Sequence, residues 1–270
     1  MKKIILIIVM MVVLITTLAG CAVAITQTSR WLSYEKYTYS VSNEATEIGT
    51  LTVISERIKF ADVTIGETLY SNQNGTKLSY DLVLTSSTDK IHSEVFFNTR
   101  FVPFYSYKDS TLNNIRTIIS ATYDGANYNY QMSVNDQVSN DTIKMKTPYF
   151  DNEMVYFMLR SIDMTGSVNA LFKTTKYYTY SFNCPNPVDN ISESRTATEI
   201  GKVDVADILG ATVSCYQVNM TLNQRITGDA FILYFAETPI TVAGAVVEFP
   251  LVKFVENGIT YKLTALEAIE

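Results

Sequence analysis

The chain has 270 residues, a formal charge of −6, 18% charged and 47% hydrophobic side chains, three cysteines and one histidine. That length accommodates one large domain or two small ones. A mildly acidic balance excludes the Lys- and Arg-rich surfaces that docking on nucleic acid or anionic lipid requires, so no nucleic-acid partner is expected.

In chain order, Lys2 and Lys3 precede an apolar run over residues 4–15, and only Thr16 and Thr17 interrupt it before Leu18-Ala19-Gly20-Cys21. This is the layout of an export signal. It is short for a bilayer span, which needs roughly 20 apolar residues. The small Ala19 and Gly20 leave the bond before Cys21 open to a peptidase. Leu18-Ala19-Gly20-Cys21 resembles the lipobox of bacterial lipoproteins, in which the cysteine receives a thioether-linked diacylglycerol and the chain is cut just before it. The resemblance implies a signal peptide over residues 1–20 and a lipidated Cys21. It also implies a body outside the cytoplasm, held to the cell membrane or outer membrane by acyl chains such as palmitate. A plain secretory signal, or an anchor that happens to end in cysteine, is the simpler alternative. Acyl chains contribute about 0.8 kcal/mol per buried CH₂, so several make a stable anchor. Cleavage removes Lys2 and Lys3 and moves the charge from −6 to −8, so the membrane link is expected to be covalent rather than electrostatic.

Residues 21–33 read as a lipidated tether, and residues 34–270 as a single β-rich domain. From Tyr34 to about Met145 apolar and polar residues alternate, with many Tyr, Val, Ile, Thr and Phe and breaks at Gly, Asn and Asp. That pattern predicts a run of antiparallel strands. Asn74-Gly75 and Asp124-Gly125 are hairpin-turn signals, because both residues of each tolerate positive φ. The second predicts a hairpin joining residues 117–123 to 127–134.

The period changes once. After Pro148 and Asp151, the residues Met154, Val155, Phe157, Met158, Leu159 and Ile162 recur at helical spacing up to Gly166. This predicts a buried helix over 151–163 with Asp151 as N-cap. A helix this apolar in a β-rich chain must be wrapped by sheet. Strands are expected again at 168–174, 177–182, 199–205, 212–222, 230–235, 240–249 and 258–265, with a Pro-rich loop at 185–195.

A faint repeat links the two strand-rich halves. Residues 37–40 recur as 178–181, Ala45-Thr46-Glu47-Ile48-Gly49 recurs as Ala197-Thr198-Glu199-Ile200-Gly201, and 80–103 aligns on 216–239. Chance matching in a Tyr- and Thr-rich chain is the competing explanation. The expected fold class is mainly β with one central helix (α+β), a curved antiparallel sheet or half barrel wrapped on the helix. A lipobox, a long antiparallel stretch, one buried helix carrying Arg160 and further strands together resemble a family of uncharacterised exported bacterial proteins. Those are expected to have a curved sheet like the half barrel of the Lol-type lipoprotein carriers. The resemblance covers most of residues 34–266 and implies a concave sheet whose apolar interior can hold a hydrophobic group.

Chemistry-bearing motifs are scarce. His92 stands alone between charged neighbours and reads as a solvated loop residue, with no Gly-x-Ser-x-Gly elbow or His-Glu-x-x-His in the chain. Three local carboxylate pairs, Glu44 with Glu47, Asp204 with Asp207 and Asp151 with Glu153, read as solvated strand ends and a helix start rather than a glycosidase pair. Cys184 and Cys215 are the thiols left after lipidation, and in an exported protein they either pair or stay free. Two cysteines and one histidine make no recognised metal-ligand spacing, so neither metal nor cofactor is expected.

Tyr-x-Tyr occurs four times, at Tyr37 and Tyr39, Tyr105 and Tyr107, Tyr128 and Tyr130, and Tyr178 and Tyr180. Residues two apart on a strand share a face, so each pair presents two rings with polar tips, suited to stacking on sugars or lining an apolar pocket. Ordinary half-buried strand tyrosines are the plainer reading. With Met154, Phe157 and Met158 of the helix, these tyrosines are the candidate ligand-binding set. The resulting expectation is a non-catalytic surface lipoprotein that binds an amphipathic or hydrophobic ligand, lipid or glycan-like, between helix and sheet. The alternative is an envelope structural or protein-interaction lipoprotein without a small ligand.

Overall fold

A computed structural model describes residues 31–60, 63–65, 68–70, 73–85, 87–161, 168–169, 174–175, 179–222 and 231–270. The signal segment, Cys21, Tyr178 and the expected helical residues 162–163 lie outside the described residues. Ten strands precede the helix: β1 (Tyr34–Asn43), β2 (Thr46–Phe60), β3 (Val63–Ile65), β4 (Thr68–Tyr70), β5 (Gln73–Leu84), β6 (Lys90–Asn98), β7 (Pro103–Leu112), β8 (Ile115–Asp124), β9 (Asn127–Val134) and β10 (Gln137–Lys144). Helix α1 (Asn152–Met158) continues into a 3-10 turn, Leu159–Ser161. Then follow β11 (Val168–Asn169), β12 (Thr174–Thr175), β13 (Thr179–Asn186), β14 (Ile191–Ile208), β15 (Ala211–Leu222), β16 (Phe231–Ala236), β17 (Ile240–Val242), β18 (Ala245–Val247), β19 (Leu251–Glu256) and β20 (Ile259–Ile269). Among the described residues no helix is long and apolar enough to cross a membrane.

Fourteen strands form one antiparallel sheet in the order β10-β9-β8-β7-β6-β5-β2-β1-β20-β19-β16-β15-β14-β13. Among the described residues the chain is therefore mainly β with one short helix. Its two outer strands approach each other, and the segment after β10 bridges the gap. Tyr149 pairs in parallel with Asn183 on β13, and the Phe150 amide donates to the Asn183 carbonyl at 2.9 Å. Farther along the seam, the Tyr130 hydroxyl donates to the Pro187 carbonyl at 3.1 Å and Asn190 Nδ2 to Asp141 Oδ2 at 2.7 Å. The wall is nearly closed and barrel-like, where a curved sheet or half barrel was expected.

Alternation along the strands makes the interior. On β1, Glu35, Tyr37, Tyr39 and Val41 are buried, while the intervening residues are half-buried. Helix α1 enters this interior with Met154, Val155, Phe157 and Met158 buried. Its first turn is held by Asp151, which accepts from the Glu153 amide at 3.0 Å and from the Tyr123 hydroxyl at 2.7 Å. Its last turn is held by Arg160, fully enclosed, whose guanidinium forks onto Glu35, with Nη2 donating to Oε1 at 3.0 Å. Arg160 Nη1 also donates to the Tyr37 hydroxyl at 2.7 Å, and the Trp31 ring lies 5.1 Å from the guanidinium.

Several expectations are corrected. Trp31, assigned to the tether, is 3% exposed, and its Nε1 donates to Ser161 Oγ at 2.8 Å, so the body begins before Tyr34. Asn74-Gly75 is no turn: both residues pair inside β5, opposite Lys59 and Ile58 of the long β2, and ladder pairing overrides the local turn preference. Asp124-Gly125 does turn, with Gly125 at φ 56°. The loop at 185–195 shrinks to a turn between β13 and β14, because Pro185 sits on an edge strand where a missing amide donor is tolerated. The expected strand 240–249 folds back on itself at Ala243 and Gly244, both at positive φ, and β19 was not anticipated at all.

The two repeat segments each form a four-strand meander, β1-β2-β5-β6 and β13-β14-β15-β16. The pairing register shifts in both at the shared Glu-Ile-Gly, between Glu47 and Gly49 on β2 and between Glu199 and Gly201 on β14.

Cys184 and Cys215 are free and buried. On β14 they face Glu193 and Val203, ten residues apart, which is about 33 Å along the strand. A disulfide between them is excluded by that register. Burial pushes each thiol up to about 12, which leaves both unreactive.

Candidate functional site

A cavity of about 500 Å³ lies inside the sheet on the polar side of α1. That is within the range of roughly 300–1,000 Å³ typical of small-molecule sites. The helix contributes Asn152, Glu153 and Tyr156, which share one side at three- and four-residue spacing. The rest of α1 turns its apolar side chains to the core.

One wall is aromatic. On the β19–β20 hairpin Phe254 pairs with Tyr261, and their rings stack at 4.2 Å and 6°. Tyr156 stacks on Phe254 at 5.5 Å, and Phe231 lies 6.3 Å from Tyr156. Tyr80 of β5 lies on the lining too, with its hydroxyl donating to the Glu153 carbonyl. Leu82 and Ile91 add aliphatic surface.

The other wall is charged. Lys108 of β7 reaches Glu153 at 3.0 Å. Arg195 of β14 donates to Glu193 at 3.0 Å and to Asn152 Oδ1 at 2.6 Å, and Asn152 Nδ2 donates back to the Pro185 carbonyl at 2.8 Å. Glu256 points inward from β19, on the same face as Phe254. Burial raises the Glu256 carboxyl above its usual range, and the Glu153 charge adds to that; Lys108, a Tyr156 hydrogen bond and Arg195 act against it. The Lys108 ammonium is held up chiefly by Glu153. Burial keeps the Tyr80 and Tyr156 hydroxyls protonated.

The candidate residues from the sequence land mostly elsewhere. Met154, Phe157 and Met158 are fully buried in the core and do not line the cavity. Tyr37 and Tyr39 are equally enclosed: the Tyr37 hydroxyl donates to Glu35 at 2.6 Å and the Tyr39 hydroxyl to the Leu251 carbonyl at 2.7 Å. Tyr128 and Tyr130 pack with Ala121, Ile143 and Met145 in a separate small core. Tyr105 and Tyr107 lie on the outer face of β7, against Phe96 at 5.8 Å and His92 at 6.3 Å. Tyr180 stacks on Phe182 at 5.9 Å, and burial pushes its hydroxyl up to about 12. His92 belongs to β6 rather than a loop, with Nδ1 2.7 Å from Asp81 Oδ1. The residues that do line the cavity were missed, although the polar stripe Asn152, Glu153, Tyr156 on an otherwise apolar helix was a readable sign of which side stays open.

No family model matches the chain, and no curated protein matches it. Among solved structures it is similar to a β-barrel-like protein of a domain of unknown function, DUF1849, from Brucella abortus. The two are 10% identical with a TM-score of 0.43, over 88% of this chain and 99% of that one. A likeness at that level speaks to neither ligand nor activity.

Proposed function

We propose that the chain is a lipid-anchored envelope protein that holds an amphipathic small molecule, lipid or glycan-like, in the cavity beside α1 and does not transform it. The observation that carries this reading is a cavity with a stacked aromatic wall facing a wall of ion pairs. Such a site offers apolar area for the body of a ligand and fixed polar groups for its head. The Tyr37–Tyr39 and Tyr128–Tyr130 pairs are buried, which takes them off the outer surface that a purely structural role would use. The lipobox-like Leu18-Ala19-Gly20-Cys21 supplies the anchoring part of the proposal.

Native mass spectrometry of the full-length chain purified from cells tests the binding. A co-purifying mass of small-molecule size is expected; a clean apo mass across independent preparations would overturn the reading. Cys21→Ser tests the anchor separately, and the variant is expected in the soluble fraction. Unchanged membrane retention would remove the anchor while leaving the cavity assignment standing.

A further inference from the structure

The cavity's charges do not cancel. Lys108 and Arg195 are each committed to a carboxylate at 3.0 Å, Glu153 and Glu193 respectively, and Glu256 is a third carboxylate on the same lining. Phe254 precedes it by two residues on the same face of β19, and Ile259, directly across the ladder, is followed two positions later by Tyr261. Phe254, Glu256, Ile259 and Tyr261 thus form one inward tile, extended by the stacking of Tyr156 on Phe254.

Each part of that tile rewards positive charge on an apolar carrier. Aromatic faces carry negative potential and attract cations within about 6 Å of the ring centre. A carboxylate in a partly dry site gains most from a cationic hydrogen-bond donor. A neutral polyol brings Glu256 no cation beyond Lys108 and Arg195, each already paired with another carboxylate, and an anionic head would meet three lining carboxylates among the described residues.

We infer that the cavity selects an organic ammonium group carried on an apolar body, with the ammonium against Glu256 and the body along Tyr156, Phe254 and Tyr261. This inference rests on the reading of the cavity as a ligand site.

Saturation-transfer NMR on the full-length chain with hexylamine, hexan-1-ol and hexanoate, one probe per titration under the same solution conditions, tests it. Hexylamine is expected to bind at least about tenfold more tightly than the alcohol, the worth of one charge-assisted contact. In Glu256→Gln, which keeps shape and hydrogen bonding, that preference should disappear while the alcohol's affinity holds. Equal binding of amine and alcohol, or a preference for hexanoate, would overturn the ammonium assignment and leave the binding reading intact. Failure of all three probes to bind would overturn both.

Discussion

Arg160 is fully enclosed among core side chains, and its burial is tolerable because every side of the guanidinium that faces Glu35 and Tyr37 is engaged. Burial alone would raise the Glu35 carboxyl, but the Arg160 charge and hydrogen bonds, with the Leu32 amide and Tyr37 hydroxyl, bring it below its ordinary 4.5. A carboxyl depressed in the folded state contributes stability above its unfolded pKa and loses it as pH falls through the folded one. Glu256 has the opposite sign. Its carboxyl is raised, so the folded state binds the proton more tightly than the unfolded chain, and stability declines as pH climbs above 4.5. Glu256→Gln is therefore expected to raise the melting temperature at neutral pH, with the gain shrinking toward pH 4.5. Thermal melts across that range check it, and an unchanged or lower melting temperature at neutral pH would show that the carboxylate is not strained there.

At the scale of elements, α1 is short and depends on its cap. Asp151→Ala removes the acceptor for the Glu153 amide and strands the Tyr123 hydroxyl, so a loss of about 1–2 kcal/mol is expected from the cap alone, measured by denaturant unfolding. A change below about 0.5 kcal/mol would mean that packing, not capping, sets the helix start. The helix and its N-cap were legible because period 3.6 and an Asp before an apolar run are local signals. The hairpin at Asp124-Gly125 was legible for the same reason. Asn74-Gly75 misled because a turn preference worth little on its own yields to continuous pairing along β2. The 18-residue β14 was seen only in part, since its register shifts near Gly201 and Val205 break the alternation that marks a strand. For the three pairs whose members are both described, Tyr-x-Tyr spacing told which tyrosines share a face, but not which face turns inward; on β7 that is decided by neighbours such as Ser106 and Lys108.

Across the whole molecule, β1 pairs with β20 in the middle of the sheet, joining Tyr34 to Ile269, so the two ends of the described body meet there while the seam closes between the outer strands. The charged cavity wall draws on β7, α1, β14 and β19, which are far apart in sequence, and no local pattern could have revealed it. Only the sheet order assembles Lys108, Glu153, Arg195 and Glu256 around one space. The account's central claim is that this space is a binding site rather than a packing remnant. Titration of the full-length chain with the apolar dye N-phenyl-1-naphthylamine, alongside an Ile91→Trp variant that fills the cavity from β6, tests that claim most directly. Saturable single-site fluorescence enhancement in the parent chain, lost in a folded Ile91→Trp, is the predicted result. Equal enhancement in both, or none in the parent, would contradict it.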